Sequence, residues 1–299
     1  VMDAFFASFW QRRMALDARN TSAVVETTAA LAAKVGCSDV LERIVDDLRD
    51  ESEPYRRMVM RCVDRVITDL GVDDVDSRLE ERLLDGILYA FHSQGTAASS
   101  SATRREQREA EVVLDGFSTA MRALGPRARP YMSQVASSVK HRLNMASPDA
   151  RMQAADLCER VAPVMRVTGE IGLLTHLGSV LFECLGEEYP EVLGSVLGAL
   201  RSVASVLGME ALEPGPGEIL PRLTPILRNR STKVQQNCIE LVGRIADRGA
   251  HLVTNAEWMR VCFQLIELLR APRKAIRRAT VNTFGYIAKA VGPQDVLIT

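Results

Sequence analysis

Apolar side chains recur every three or four residues along almost the whole chain, and no stretch shows the apolar–polar alternation of a half-buried strand. The pattern predicts helices throughout, arranged in pairs. The second helix of each pair closes on a recurring ending: Lys34-Val35-Gly36, Asp69-Leu70-Gly71, Ala123-Leu124-Gly125, Val206-Leu207-Gly208, Asp247-Arg248-Gly249 and Ala290-Val291-Gly292, with Gly169 fitting the same place more loosely. A glycine just past a helix suits the left-handed C′ position, where a Cβ is penalised.

Successive glycines are separated by 35, 54, 44, 39, 41 and 43 residues. The outlier contains the small, polar tract Gly95-Thr-Ala-Ala-Ser-Ser-Ser-Ala-Thr103, which predicts a flexible loop insertion over 94–108 within the third repeat. Removing roughly 15 residues there restores a period near 40, and two helices per such period is the HEAT or armadillo pattern. The expected fold is all-α: a HEAT-repeat right-handed α-solenoid of stacked antiparallel helix pairs. About seven repeats form one continuous array over 1–299, and an eighth pair begins at Pro293. One pair cannot bury its apolar stripe alone, so each repeat rests on its neighbours. In the last complete pair, the first helix is expected over Ala256 to Leu269, with Met259, Cys262, Phe263, Leu265, Ile266, Leu268 and Leu269 apolar. The second is expected over Pro272 to Ala290, with Pro272 in the first turn, where no N–H is missed.

Composition changes this picture little: 47% hydrophobic and 25% charged residues suit a chain with a sizeable core. No membrane-spanning segment is expected, because the longest uncharged apolar-rich stretch, Ile171 to Phe182, falls well short of the roughly 20 residues a span needs. Asp3, Gln11, Arg12 and Arg13 interrupt the opening residues, which do not read as a signal peptide. With no initial Met and an ending in mid-pattern, the chain is expected to be a section of a longer protein. Cys37, Cys62, Cys158, Cys184, Cys238 and Cys262 form no C-x-x-C pair, and His92, His141, His176 and His251 are scattered. Reduced structural thiols and no metal or other cofactor are expected.

The net charge of −1 argues against a uniformly basic surface, but it averages a split: residues 221–299 carry +8 and residues 1–220 carry −9. Catalytic patterns are missing. No Gly-Lys-Ser/Thr phosphate loop, H-E-x-x-H or G-x-S-x-G occurs, and Pro214-Gly-Pro-Gly217 reads as a turn. Acidic pairs such as Asp46-Asp47 and Glu187-Glu188 read as solvated helix ends. Gly194-Ser-Val-Leu-Gly198 predicts close packing between helices, not a membrane dimer motif.

One basic stretch stands out: Arg270-Ala-Pro-Arg273-Lys274-Ala-Ile-Arg277-Arg278. Lys274, Arg277, Arg278 and Val281 fall on one helical face, with Ile276, Ala279, Thr283 and Ile287 near the opposite, core side. Arginines on a rigid helix can meet phosphate oxygens with defined geometry. Charge alone leaves plainer readings open: a solvated face, or arginines bonded to the turn of a neighbouring repeat. Arg56-Arg57 and Arg104-Arg105 fit those readings better still.

The segment Lys274-Ala-Ile-Arg-Arg-Ala-Thr-Val-Asn-Thr-Phe-Gly-Tyr-Ile-Ala-Lys-Ala290 closely resembles the HEAT array of the largest subunit of splicing factor 3b. So do Leu220-Pro-Arg-Leu-Thr-Pro-Ile-Leu227, Leu241-Val-Gly-Arg-Ile-Ala-Asp-Arg-Gly249, Gly186-Glu-Glu-Tyr-Pro-Glu-Val-Leu-Gly194, Arg43-Ile-Val-Asp-Asp-Leu48 and Leu84-Asp-Gly-Ile-Leu-Tyr-Ala-Phe91. The resemblance is collinear over nearly the whole chain and implies a middle-to-late section of that array. Departures are the longer stretch near 94–108 and the residues at Pro272 and Arg273.

The resemblance implies a nuclear, non-enzymatic scaffold of the spliceosome. It would help hold the duplex of small nuclear RNA and pre-mRNA branch site, with the branch adenosine in a pocket shared with a small zinc-containing PHD-finger-like subunit. A β-propeller subunit and splicing-modulator natural products are further implied partners. Lys274, Arg277, Arg278 and Val281 are the matching pocket positions, supported by Arg270 and Arg273, and the rest would lie beyond Thr299. The alternative is a protein–protein scaffold of transport-receptor or phosphatase-scaffold type, without RNA contact.

Overall fold

A computed structural model describes residues 1–94 and 104–292, with side chains from 109 in the second segment. Every regular element among the described residues is helical. The expected insertion over 94–108 lies largely outside them; Gln94 is buried, and helix resumes at Arg104.

The chain divides into two compact units, Val1–Tyr131 and Met132–Thr299. The first contains α1 (Met2–Phe9), α2 (Ala18–Val35), α3 (Cys37–Ile44), α4 (Glu53–Leu70), α5 (Ser77–His92) and α6 (Arg104–Leu124). α2, α4 and α6 pack side by side as one layer, while α5 packs on α3 and its 3-10 extension, Val45–Arg49, in the other. The second unit contains α7 (Met132–Leu143), α8 (Pro148–Val167), α9 (Ile171–Glu183), α10 (Pro190–Leu207), α11 (Pro216–Ile226), α12 (Thr232–Gly249), α13 (Asn255–Leu268) and α14 (Lys274–Val291). Here α8, α10, α12 and α14 form one layer. α7 packs on α9, and α11 on α13, in the second layer. The fourteen described α-helices thus make seven pairs.

Local chemistry starts these helices where the pattern places them. Asp17, Asp76, Ser147 and Thr254 accept from the N–H three residues on, satisfying a donor that the first turn leaves unpaired. Proline opens α8, α10 and α11 and follows Glu53 in α4.

The helix ends hold more variety than the repeated glycine implies. Gly36, Gly71, Gly125, Gly169, Gly208 and Gly292 all have positive φ. Gly169, the loosest match in sequence, makes a full Schellman end: Glu170 N–H reaches the Met165 carbonyl at 2.9 Å and Gly169 N–H reaches Arg166 at 3.1 Å. Gly249 departs from the expected left-handed position. Its φ is −139°, it ends α12 directly, and a Cβ there would lie 2.7 Å from Cβ of Met209. That glycine serves close packing instead.

Close approach also explains Gly194-Ser-Val-Leu-Gly198. A Cβ on Gly194 would meet Lys233 at 2.8 Å, and one on Gly198 would meet Glu159 at 2.6 Å. α10 is long and apolar enough to cross a membrane by length and composition, although Glu191 and Arg201 interrupt it and Ile171 to Phe182 remains the longer uncharged run. Its 67% burial, against α8 and α12, matches the central helix of a packed layer.

Candidate functional site

α14 carries the basic face. Its buried stripe is Ile276, Thr280, Thr283 and Ile287. Ala279, expected in the core, is only half-buried. Thr280 takes the core place because its hydroxyl is satisfied on the helix itself, donating to the Ile276 carbonyl at 2.8 Å. Thr283 donates to the Ile239 carbonyl of α12 at 3.2 Å, opposite Gly243, which leaves room for it. In α13, Trp258 supplies a fully buried core residue that the apolar periodicity had not singled out, whereas Phe263, Ile266 and Leu269 stay partly exposed.

Lys274, Arg278 and Val281 lie on the exposed side of α14, and Arg270 and Arg273 are exposed just before it. Pro272 lies outside the helix, contrary to the expected first-turn position: Arg273 is the N-cap and α14 starts at Lys274. Among the described residues, none of Arg270, Arg273, Lys274 and Arg278 makes an ion pair. No acidic residue lies in the first turn of α14. Cations at a helix N-terminus oppose the macrodipole at about 0.3–1 kcal/mol each. The placement is locally unfavourable, and an anion bound there would relieve it.

Arg277 differs from its neighbours. It is half-buried, and its Nη1 donates to the carbonyls of Ala271 and Pro272 at 2.7 and 2.9 Å.

Beside this face runs a cleft of about 400 Å³. Arg278, Asn282 and Tyr286, one turn apart along α14, form one wall. Glu240, Arg244 and Asp247 of α12 form the other, and Arg201 of α10 closes one end. Arg201 pairs with Glu159 of α8 at 2.9 Å and with Glu240, so its charge is neutralised across three helices. The basic run did not reveal this cleft. The phase of Glu240, Arg244 and Asp247, at i, i+4 and i+7, was the available signal.

Among the described residues, no three metal-binding side chains converge. Burial pushes the thiols of Cys37, Cys62 and Cys158 up to about 12 and that of Cys262 up to about 11. A thiol so disfavoured as thiolate is a poor nucleophile.

The paired helices and two-layer stacking define a repeat protein of the HEAT/armadillo class. Solved structures agree on the fold: the karyopherin Kap121p bound to the SUMO protease Ulp1p matches 94% of the chain over 33% of its own, with TM-score 0.63 and 13% identity. A designed armadillo repeat protein in complex with a (KR)4 peptide matches 83% of the chain over 99% of its own, with TM-score 0.54 and 15% identity. No protein-family model matches the chain.

Sequence relatives go further than fold. The chain is 53% identical over 299 residues to the U2 snRNP component prp10 of Schizosaccharomyces pombe, covering 24% of that protein. It is 41% identical over 294 residues to the U2 snRNP component HSH155 of Saccharomyces cerevisiae, covering 29%. The chain belongs to the family of these U2 snRNP components, that of the largest splicing factor 3b subunit, and spans about a quarter of the length of the relatives it matches.

Proposed function

We propose that this chain is a non-catalytic section of a nuclear splicing scaffold, and that the start of α14 helps hold the branch-site duplex. The observation that carries the reading is the 53% identity to a U2 snRNP component over all 299 residues. The geometry supports it: unpaired cations gather at a helix N-terminus that would gain from an anion. Lys274 and Arg278, with Arg270 and Arg273 nearby, meet phosphate oxygens. Val281, 57% exposed, is the apolar wall beside the branch adenosine. The partners of this reading are the other splicing factor 3b subunits, including the zinc-containing PHD-finger-like and β-propeller subunits, with splicing-modulator natural products competing for the same wall.

The test is affinity of the assembled subcomplex for a branch duplex with one unpaired adenosine, titrated with salt. Changing Lys274 and Arg278 to Ala lowers the log–log salt slope by about 1 to 2 units if each neutralises a phosphate. An unchanged slope and affinity would remove RNA from the role of this face. Recovery of acidic protein partners in place of splicing subunits would favour the protein–protein scaffold.

A further inference from the structure

We infer that Arg277 is a positioning residue: it pins the loop that carries Arg273 and Lys274, and acts on a bound anion through them. The consequence for RNA rests on the function proposed above; the pinning itself does not.

The inference comes from three repeats in register. Arg56, Arg151 and Arg277 are each the fourth residue of the second helix of their pair. Each uses Nη1 to donate to two consecutive carbonyls, six and five residues back. Arg56 reaches Asp50 and Glu51 at 2.5 and 3.1 Å, and Arg151 reaches Met145 and Ala146 at 2.9 and 2.8 Å. Arg277 repeats this with Ala271 and Pro272 at 2.7 and 2.9 Å. The chemistry suits the place. A chain leaving one helix for the next carries carbonyls without intrahelical partners, and one guanidinium nitrogen offers two hydrogens in a fixed plane.

The outward edge of this arginine is used inside the array in the other two repeats. The Tyr89 ring lies 5.9 Å from Cζ of Arg56. Arg151 is met by Glu187 at 2.8 and 3.1 Å and by the Tyr189 ring at 5.7 Å. Those groups come from the following repeat. Arginine is also not demanded by the fold at this position, since α10 has Leu193 there and α12 has Gln235. Where arginine does occur, its work is on the backbone of its own repeat. At α14 that backbone is the approach to Arg273 and Lys274, so the staple sets where two of the exposed cations point.

Amide exchange in the full chain without RNA tests the staple. R277A speeds exchange of the hydrogen-bonded amides on either side of the staple, those of Ala271 and residue 277, by about tenfold or more, because the loop loses both anchors. R277K, which keeps the charge but not the planar fork, speeds it as well, whereas K274A and R278A leave it unchanged. R56A gives the same effect at the start of α4. In the assembled subcomplex, R277A weakens binding of the bulged duplex, yet adds little once K274A and R273A are present, as expected of a residue acting through them. Unchanged exchange in both Arg277 variants overturns the inference, as does full additivity of R277A with K274A and R273A. If the wild-type subcomplex ignores the duplex, the RNA reading fails, while the exchange measurement still decides the staple.

Discussion

The arginines of the amino-terminal unit and those at the start of α14 are the same residue type in opposite circumstances. In the first unit, Arg12 meets Asp50, Arg43 meets Asp3, Arg49 meets Asp85 and Arg82 meets Asp46. The partners in these pairs are 36 to 40 residues apart, one repeat, so successive repeats are stitched by opposite charge. Among the described residues, Arg273 and Lys274 make no such pair. Residues 233–238, one repeat earlier, contain Lys233 and no acid. The difference teaches that a repeat period dictates which charges meet, and that a cation with no acid one repeat earlier is left to a partner elsewhere.

The sharpest way to break this comparison is to remove the leftover cations together. R273A/K274A/R278A should lower the salt slope of branch-duplex binding by about 2 to 3 units in the assembled subcomplex. Its thermal midpoint should hold steady or rise, because the helix N-terminus is relieved of like charge. Next in size is the packing that carries α14. G243V would place a Cβ 2.7 Å from the Thr283 hydroxyl, and should cost about 1–3 kcal/mol in urea unfolding. A third change attacks a paired cation. R201M leaves Glu159 and Glu240 facing without their shared partner, and should cost about 1 kcal/mol by the same measurement.

The fourth prediction uses pH. Burial pushes the Glu187 carboxyl up, but hydrogen bonds from Arg151 and the Tyr189 N–H, together with the Arg151 charge, outweigh it and hold the carboxyl below its usual range. A lowered carboxyl pKa contributes stability above the unfolded-state value, about 4.3, and loses it as pH falls through the folded value. Wild-type stability should therefore drop more steeply below about pH 5 than that of E187Q. The smallest effect is expected at an exposed pair. R49A, which releases Asp85, should change stability by no more than about 0.5 kcal/mol and leave RNA binding alone.

The seven helix pairs were legible because apolar spacing and terminal glycines are local signals that every repeat restates. The α13 and α14 boundaries fell within two residues of expectation. Misreadings arose where two causes share one residue type. Gly249 looks like a helix terminator in sequence and acts as a gap for Met209. Pro272 looks like a first-turn residue and lies in the loop before it. Ala279 and Thr280 exchange places because a threonine that satisfies its own hydroxyl can be buried as readily as an alanine. The basic face was visible in helical phase, but the distinct posture of Arg277 was not, since its partners are backbone carbonyls and carry no signature in side chains.

The sequence by itself determined that this protein is a helical repeat array, that its cations gather near one end, and which family it belongs to. These follow from periodicity, count and identity, which need no coordinates. Only the tertiary structure decided which cations are committed. Arg201 is neutralised because the two neighbouring helices each bring a glutamate to it, Arg277 is held because a loop folds back beneath it, and Lys274 and Arg278 make no ion pair among the described residues. Charge pairing depends on distance across helices, and distances across helices are set by packing.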